Sequence, residues 1–404
     1  MGSHNDAGVY KMENGFWAYR FKIVVDGVDI NRRRTKDAEG NKLTTKTQAI
    51  RAREAAIAEA RVERQRRRKI SRRTVKEVFE EYREKGRVGK MYNTNLKQDS
   101  LWKNHLSSRW GDRFVDDIST AEINDYLAEL YYENEYAYAY VESFLKMFYL
   151  IFGQAYSRNY LDVDIYNKFC VNKDTKIHMP KLKADDETNI VSYNRQELAL
   201  LDDYFKGTNA ETAYLLGRYC GLRINETYGL KWENVDLENG TIFIDRQQQY
   251  QNGYLKMVLP KTRNARRKIY LCDKMKEHLR QKKEQMEKDT VKYAAVRAQK
   301  QRMLEDLDGK MISSTDLVNC LPDGTIQTVN SMKFHSRTIK ERLNIDFKYH
   351  HLRHTYGTLM AEMNTPTHLL CDQMGHGNIH VTQLYYLAVS ETGIETLQKN
   401  LNQL

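Results

Sequence analysis

Apolar and polar positions alternate near the start of the chain. Trp17, Tyr19, Phe21, Ile23 and Val25 are interleaved with Arg20 and Lys22, the period of a strand with one apolar and one basic face. Asp26-Gly27 is a hairpin turn signal, and Val28 to Arg34 reads as the return strand, ending in Arg32-Arg33-Arg34. Residues 8–46 are therefore expected to form a small β unit. The pattern then changes to a charged, Ala-rich helix over 47–73, with few apolar positions. It is either a linker helix lying against phosphates or a solvated spacer.

Residues 74–172 carry helical periodicity. Thr74 and Glu77 form a capping box ahead of Val78, Phe79 and Tyr82. Ser119 and Glu122 repeat it ahead of Ile123, Tyr126, Leu127 and Leu130. Val141, Phe144, Leu145, Phe148, Ile151, Phe152 and Ala155 then make a broad stripe on a long helix. About four helices in a bundle are expected. Residues 173–190 are polar and irregular and predict a linker. Beyond it, Asn194 to Glu197 opens a helix, and Thr212 to Tyr219 continues the helical pattern into Gly221-Leu222-Arg223. Thr241 to Ile244, Lys256 to Leu259 and Lys268 to Leu271 predict a three-stranded antiparallel meander, with Lys261 at the tip of its second turn. A charged helix is expected over 273–306, and Ile394, Leu397 and Leu401 predict a short amphipathic helix at the end.

Charge sharpens the first element. The formal net charge is +11, and residues 1–73 hold 19 Lys and Arg against 9 Asp and Glu, a net of +10. An excess confined to the stretch with strand patterning suits a polyanion-binding arm better than a solubilising tail. Its basic strand face can enter a DNA groove through Arg20, Lys22, Arg32, Arg33 and Arg34. Lys90 and Lys97 in the helical region are weaker candidates for backbone contact. The five cysteines are widely spread, with neither metal-ligand nor disulfide spacing, which points to a reducing cytoplasm. No apolar run is long enough to span a bilayer, and there is no signal-peptide pattern.

The chemistry gathers in His350-His351-Leu352-Arg353-His354-Thr355, followed by Gly375-His376 and Tyr385-Tyr386. His350 and Arg353 are three residues apart, on one face of a helical turn. No acidic residue lies within any of these groups. Such a cluster suits a substrate that is negative and becomes more so as it reacts, such as a phosphate. Arg223, with Glu226 one turn on to orient it, and Lys261 on its hairpin complete a set of Arg223, Lys261, His350, Arg353, His376 and Tyr385. His351 and His354 are left outside that set.

These motifs, Gly221-Leu222-Arg223-Ile224-Asn225-Glu226, Pro260-Lys261-Thr262, His350 to Thr355, and Gly375-His376 followed by Tyr385, resemble those of tyrosine recombinases. In particular, they resemble the integrases of phages and conjugative transposons. The resemblance implies a multidomain fold. It would comprise an arm-binding β domain (1–46), a basic linker helix (47–73), a helical core-binding bundle (74–172), a linker (173–190), and a mainly-α catalytic domain with a three-stranded antiparallel sheet (191–404). It implies Tyr385 as nucleophile on a DNA phosphodiester, giving a 3′-phosphotyrosine and a free 5′-hydroxyl. Arg223 and Arg353 would clamp the phosphate and His376 would add a hydrogen bond. His350 would take the tyrosine's proton and Lys261 would protonate the leaving oxygen. Such a transesterification conserves bond energy, so neither a nucleotide nor a metal cofactor is expected. The implied partners are double-stranded DNA at core and arm sites, three further copies of the chain in a tetramer, an excisionase and a DNA-bending host protein, all in the bacterial cytoplasm at the nucleoid. The terminal helix would dock on a neighbouring protomer or pack on its own domain.

Spacing from His376 favours Tyr385 over Tyr386, because adjacent helical positions point about 100° apart. The family often carries a histidine two residues past its nucleophile, where this chain has Leu387. Two other readings remain open, a type IB topoisomerase-like enzyme and a DNA-binding regulator that has lost its chemistry.

Overall fold

The computed structural model describes residues 8–25, 28–66, 71–183, 191–299, 304–387, 398–399 and 401–402. The chain divides into two compact units, Met1–Asp186 and Glu187–Leu404.

In the first unit, β1 (Val9–Lys11), β2 (Trp17–Val25) and β3 (Val28–Arg34) form an antiparallel sheet in the order β1-β2-β3. The expected Asp26-Gly27 turn lies outside the described residues. Helix α1 (Lys46–Arg66) packs on this sheet and is not a solvated spacer. Ala49, Ala56 and Ala60 recur on one helical face and are buried with Tyr19, Phe21 and Leu43. Each methyl contributes on the order of 0.8 kcal/mol, but its small size lets the helix backbone lie close to the aromatic rings. The sequence hid this because alanine on a charged helix carries a weak apolar signal.

The bundle contains α2 (Val75–Glu81), α3 (Tyr92–Leu101), α4 (Ser107–Trp110), α5 (Thr120–Ala128), α6 (Tyr138–Ser157) and α7 (Val163–Tyr166). Both expected capping boxes are present, at Thr74 with Glu77 and at Ser119 with Glu122. The α6 stripe is buried from Val141 to Ala155, with Phe148 edge-on to Trp110 at 5.5 Å between ring centroids. Helix α3 gave no periodic signal, since Leu101 is its one fully buried side chain and Leu96 is exposed. The expected linker is packed on the bundle up to residue 183. Ile177 is fully buried, and the Tyr149 hydroxyl donates to its carbonyl at 2.7 Å.

The second unit begins with α8 (Arg195–Phe205), capped by Asn194 with Glu197, then α9 (Glu211–Cys220) and α10 (Ile224–Tyr228). Strands β4 (Val235–Asp236), β5 (Thr241–Ile244), β6 (Gln247–Gln251), β7 (Tyr254–Val258) and β8 (Arg267–Tyr270) follow. Next come α11 (Asp273–Lys292), α12 (Ala294–Gln299), β9 (Leu304–Glu305), β10 (Met311–Ile312), α13 (Val329–Leu343), α14 (Tyr349–Glu362), α15 (Thr367–Met374) and α16 (Ile379–Leu387). A three-stranded antiparallel sheet is present, but its order is β4-β5-β8. The middle strand of the expected meander, β7, instead pairs with β6 and with β9 in a second sheet, β10-β9-β7-β6. The charged helix predicted to reach residue 306 gives way to β9, whose Leu304 is fully buried. Of the expected terminal helix, Ile394 and Leu397 lie outside the described residues, and Leu401 is exposed.

The crossing of α9 and α14 positions the chemistry. A Cβ on Gly217 would stand 2.8 Å from the Tyr349 ring and 2.9 Å from Leu352. Glycine at this point on α9 therefore allows α14 to approach closely. The Tyr349 hydroxyl ties the contact to Thr227 at 2.7 Å and to the Ala213 carbonyl at 2.9 Å. This crossing carries Arg353 to the C-terminal end of α9.

Candidate active site

Arg353 is 1% exposed. Its Nη1 donates to the Gly221 carbonyl at 2.6 Å and its Nη2 to the Met374 carbonyl. The guanidinium is thus fixed by two helix ends, where backbone carbonyls have no partner of their own within the helix. Burial lowers its pKa to about 9, with Arg223 adding repulsion, so it remains charged at neutral pH.

Arg223 is at the N-terminus of α10. Its Nη1 lies 2.7 Å from Glu226 Oε1, as its spacing predicted, and its Nη2 donates to the Gly375 carbonyl at 3.4 Å. Glu226 has a second partner that the sequence did not reveal. Arg267 on β8 holds both carboxylate oxygens, at 3.1 and 3.0 Å, and its Nε donates to the Gln373 carbonyl at 2.9 Å. Burial pushes the Glu226 carboxyl up, but Arg267 and then Arg223 outweigh it and hold it down at about 2. Arg223, Glu226 and Arg267 form one chain of charge, buried at Glu226 and Arg267 and half-buried at Arg223. Two guanidiniums and one carboxylate leave it positive.

His376 follows the C-terminus of α15. Its Nδ1 is 2.7 Å from Thr382 Oγ1, which sets the ring plane. Burial, then Arg353 and Arg223, lower its pKa to about 3, so the ring is neutral. Tyr385 on α16 stacks on it, with ring centroids 5.9 Å apart and planes 13° apart. Tyr385 is 4% exposed, and burial raises its pKa while Arg353 and Arg223 oppose the rise. Tyr386 points elsewhere, and its hydroxyl donates to the Thr365 carbonyl. His350 is exposed, with its ring edge-on to His354 at 4.5 Å between centroids.

The structure therefore brings Arg223, Arg353, His376 and Tyr385 into one cluster with His350 at its edge. Lys261 is exposed on the loop between β7 and β8, and among the described residues no contact ties it to the cluster. The same loop is anchored further on, where Asn264 Nδ2 donates to the His376 carbonyl at 3.4 Å. Two residues at this site were missed. Arg267 is separated from Glu226 by forty-one positions and no local pattern links them. His354 was set aside, yet its Nδ1 is 3.0 Å from the Tyr385 hydroxyl. The signal that could have found it is its spacing of four from His350, which places both rings on one face of α14. His351 turns instead toward Tyr193, 5.7 Å away.

The seven candidate DNA-binding side chains do not form one surface. Arg20 pairs directly across the sheet with Arg33, and Lys22 with Asn31. Arg20, Lys22 and Arg33 are exposed together. Arg32 and Arg34 pair with Phe21 and Tyr19 and share the α1 side of the sheet. Three consecutive arginines on a strand must split between its two faces. Lys22 is also bound to Asp29 at 2.6 Å, and Arg33 lies over the Tyr10 ring at 5.5 Å. In the bundle, Lys90 lies over the Tyr82 ring at 5.2 Å, and Lys97 donates to Ser143 Oγ at 2.6 Å.

Residues 194–391 match the phage integrase family. A XerC-like tyrosine recombinase of Caldanaerobacter subterraneus subsp. tengcongensis is 25% identical over 333 residues, covering 79% of this chain and 80% of that protein. The chain is a tyrosine recombinase of the integrase family. Its fold is similar to the Tn1549 transposon integrase in complex with transposon right end DNA, with TM-score 0.61 and 18% identity over 82% of this chain and all of that one. It is also similar to a lambda integrase dimer bound to a COC′ core site, with TM-score 0.52 and 14% identity over 95% of this chain and 96% of that one. Among the described residues, no helix is long and apolar enough to cross a membrane.

Proposed function

We propose that this recombinase integrates and excises a mobile DNA element through a 3′-phosphotyrosine on Tyr385. One observation carries the reading: Tyr385 is buried in the field of Arg353 and Arg223, stacked on the neutral His376 ring and with its hydroxyl 3.0 Å from the neutral His354, while the Glu226 carboxylate is already neutralised by Arg223 and Arg267. A phosphate placed there meets positive charge that needs no reorganisation as the pentacovalent state forms. Arg353 and Arg223 hold the non-bridging oxygens with the N–H groups not engaged by the protein. His376 adds a bond through Nε2, and Lys261 protonates the leaving 5′ oxygen from its loop. A tyrosine with a raised pKa must lose its proton as it attacks, and a histidine of α14 receives it. Bond energy is conserved in the phosphotyrosine, so the step calls for neither nucleotide nor metal.

In this reading residues 8–46 bind arm sites, 74–172 and 191–404 grip the core site, and 173–190 joins them. Four copies act on two duplexes, with an excisionase and a DNA-bending host protein setting direction. The terminal helix docks on a neighbouring copy, and the assembly works at the nucleoid in the bacterial cytoplasm.

The test is a nicked suicide duplex taken from the DNA flanking the gene, where an integrase's own attachment site usually lies. The wild type and Tyr386→Phe are expected to trap a covalent adduct and exchange strands between two sites, and Tyr385→Phe to trap none. An adduct in Tyr385→Phe that is lost in Tyr386→Phe would reverse the assignment. Relaxation of supercoils without any site pair would favour the topoisomerase reading. No adduct with any flanking duplex would favour a silent regulator.

A further inference from the structure

Helix α14 presents His350, His354 and Gly357 in one stripe, at spacings of four and three. The ring of Tyr385 lies over Gly357, where an added Cβ would stand 3.0 Å from two of its carbons. In that position the Tyr385 hydroxyl is 3.0 Å from His354 Nδ1. The titratable and charged groups around His354 are His350, His351 and Arg353 on α14, Tyr385 on α16, and His376 before α16, stacked on the Tyr385 ring. Among the described residues no carboxylate joins them. His350, although it belongs to the motif, is exposed in front of His354, and it is His354 that reaches the hydroxyl.

We propose that His354 is the proton acceptor for the nucleophile: given the reading of Tyr385 as the attacking residue, Nδ1 accepts the hydroxyl's hydrogen bond in the DNA-free enzyme and takes its proton as the oxygen attacks phosphorus. The Tyr385 Oη–P bond forms and the P–O5′ bond breaks. The phenolic proton moves to Nδ1, and a proton from Lys261 goes to the 5′ oxygen. In the rejoining step a 5′-hydroxyl attacks the phosphotyrosine and gives its proton back to Lys261, the O5′–P bond forms, the P–Oη bond breaks, and His354 returns its proton to Oη.

The surroundings fit both halves of that cycle. Burial, then His350, His351 and Arg353, lower the pKa of His354 to about 4, so without DNA the ring is neutral and has a lone pair to offer. A phosphate entering between Arg223 and Arg353 brings a negative charge close by. That charge raises the proton affinity of the imidazole when the proton must be received. The acceptor is thus weak while the site is empty and stronger once substrate is bound. His350, on the exposed side, is left to contact the phosphate.

The experiment measures single-turnover adduct formation by the full chain on the flanking-DNA suicide duplex, with duplex binding followed by gel shift. His354→Ala and His354→Asn are both expected to bind DNA and to lose at least 100-fold in rate. The asparagine amide oxygen can accept the hydroxyl's hydrogen bond but not its proton. Replacing the bridging 5′ oxygen by sulfur, a leaving group that needs no acid, is expected to rescue Lys261→Ala but not His354→Ala. Added imidazole is expected to restore part of the His354→Ala rate, rising with the fraction of its neutral form. A His354→Asn rate within threefold of wild type would reduce His354 to a positioning residue and overturn the proposal. So would a His354→Ala rate within threefold, or rescue of His354→Ala by sulfur. If Tyr385→Phe still abolishes the adduct in those cases, the recombinase reading stands while this one falls. A wild type that forms no adduct would overturn both.

Discussion

The guanidiniums of the catalytic unit and those of the N-terminal sheet are held in opposite ways. Arg353 and Arg267 are 1% and 7% exposed, and each donates to backbone carbonyls at the ends of helices or loops. Arg20 and Arg33 are exposed on a strand face, where Arg33 lies over a single ring. A buried cation has lost its water and is costly unless the protein supplies acceptors. Once supplied, they fix the charge in one place, which suits an oxygen that develops charge in a transition state. Exposed cations keep their water and their freedom. They contribute affinity that salt screens away. In the proposed reading the same residue type serves chemistry in one region and adhesion in the other, and the surrounding acceptors decide which.

The largest effect expected from this contrast is at Arg267. Arg267→Met keeps much of the volume but leaves the Glu226 carboxylate buried with one partner fewer, a loss of about 3–5 kcal/mol in unfolding free energy. Urea denaturation measures it. The pH dependence has a definite sign. Glu226 has its pKa depressed in the folded state, so its contribution is complete above the unfolded value of 4.5 and is lost as pH falls toward about 2. The wild-type advantage over Arg267→Met should shrink across that window. An advantage that does not change with pH would show that charge pairing is not what the arginine supplies.

A smaller effect is expected at Gly357. Gly357→Ala places a methyl 3.0 Å from the Tyr385 ring and displaces it by a few tenths of an ångström. Since a displacement of about 1 Å can cost on the order of 100-fold in rate, a loss of about tenfold in adduct formation is expected, with DNA binding intact. An unchanged rate would mean that the ring leaves its bed on Gly357 before it reacts.

The smallest effects belong to the sheet. Arg20→Ala, Lys22→Ala and Arg33→Ala together should weaken arm-site binding and reduce the slope of log affinity against log salt by about 0.9 for each phosphate that is no longer neutralised. Arg32→Ala and Arg34→Ala should change that slope less, because they lie on the α1 side. Equal slopes for the two sets would break the distinction between the faces.

Much of this could be read along the chain. The capping pairs Thr74 with Glu77, Ser119 with Glu122 and Asn194 with Glu197 are all made, because each depends on residues one turn apart. The Arg223–Glu226 pair follows the same logic. The placement of Tyr385 within the cluster, with Tyr386 turned away, follows from the spacing to His376 together with the helical angle between neighbours. Relations between distant segments were not legible. Periodicity identified β7 as a strand, but only tertiary pairing assigned it to the sheet with β9 and β10. Strand alternation already implied that Arg32, Arg33 and Arg34 divide between two faces. Which face was covered depended on α1 and its alanines, whose signal is weak.

The sequence by itself determined the kind of site: the residue types, their order, and which side chains share a turn. These are consequences of local geometry, which repeats every few residues whatever the rest of the chain does. The tertiary structure decided how the site is supported and wired. The α9–α14 crossing at Gly217 brings Arg353 to the Gly221 carbonyl, β8 delivers Arg267 to Glu226, and α16 lays the Tyr385 hydroxyl on His354. Each of these joins segments tens of residues or more apart. Such contacts are selected by packing and by the need to give every buried charge a partner, and no local period encodes them.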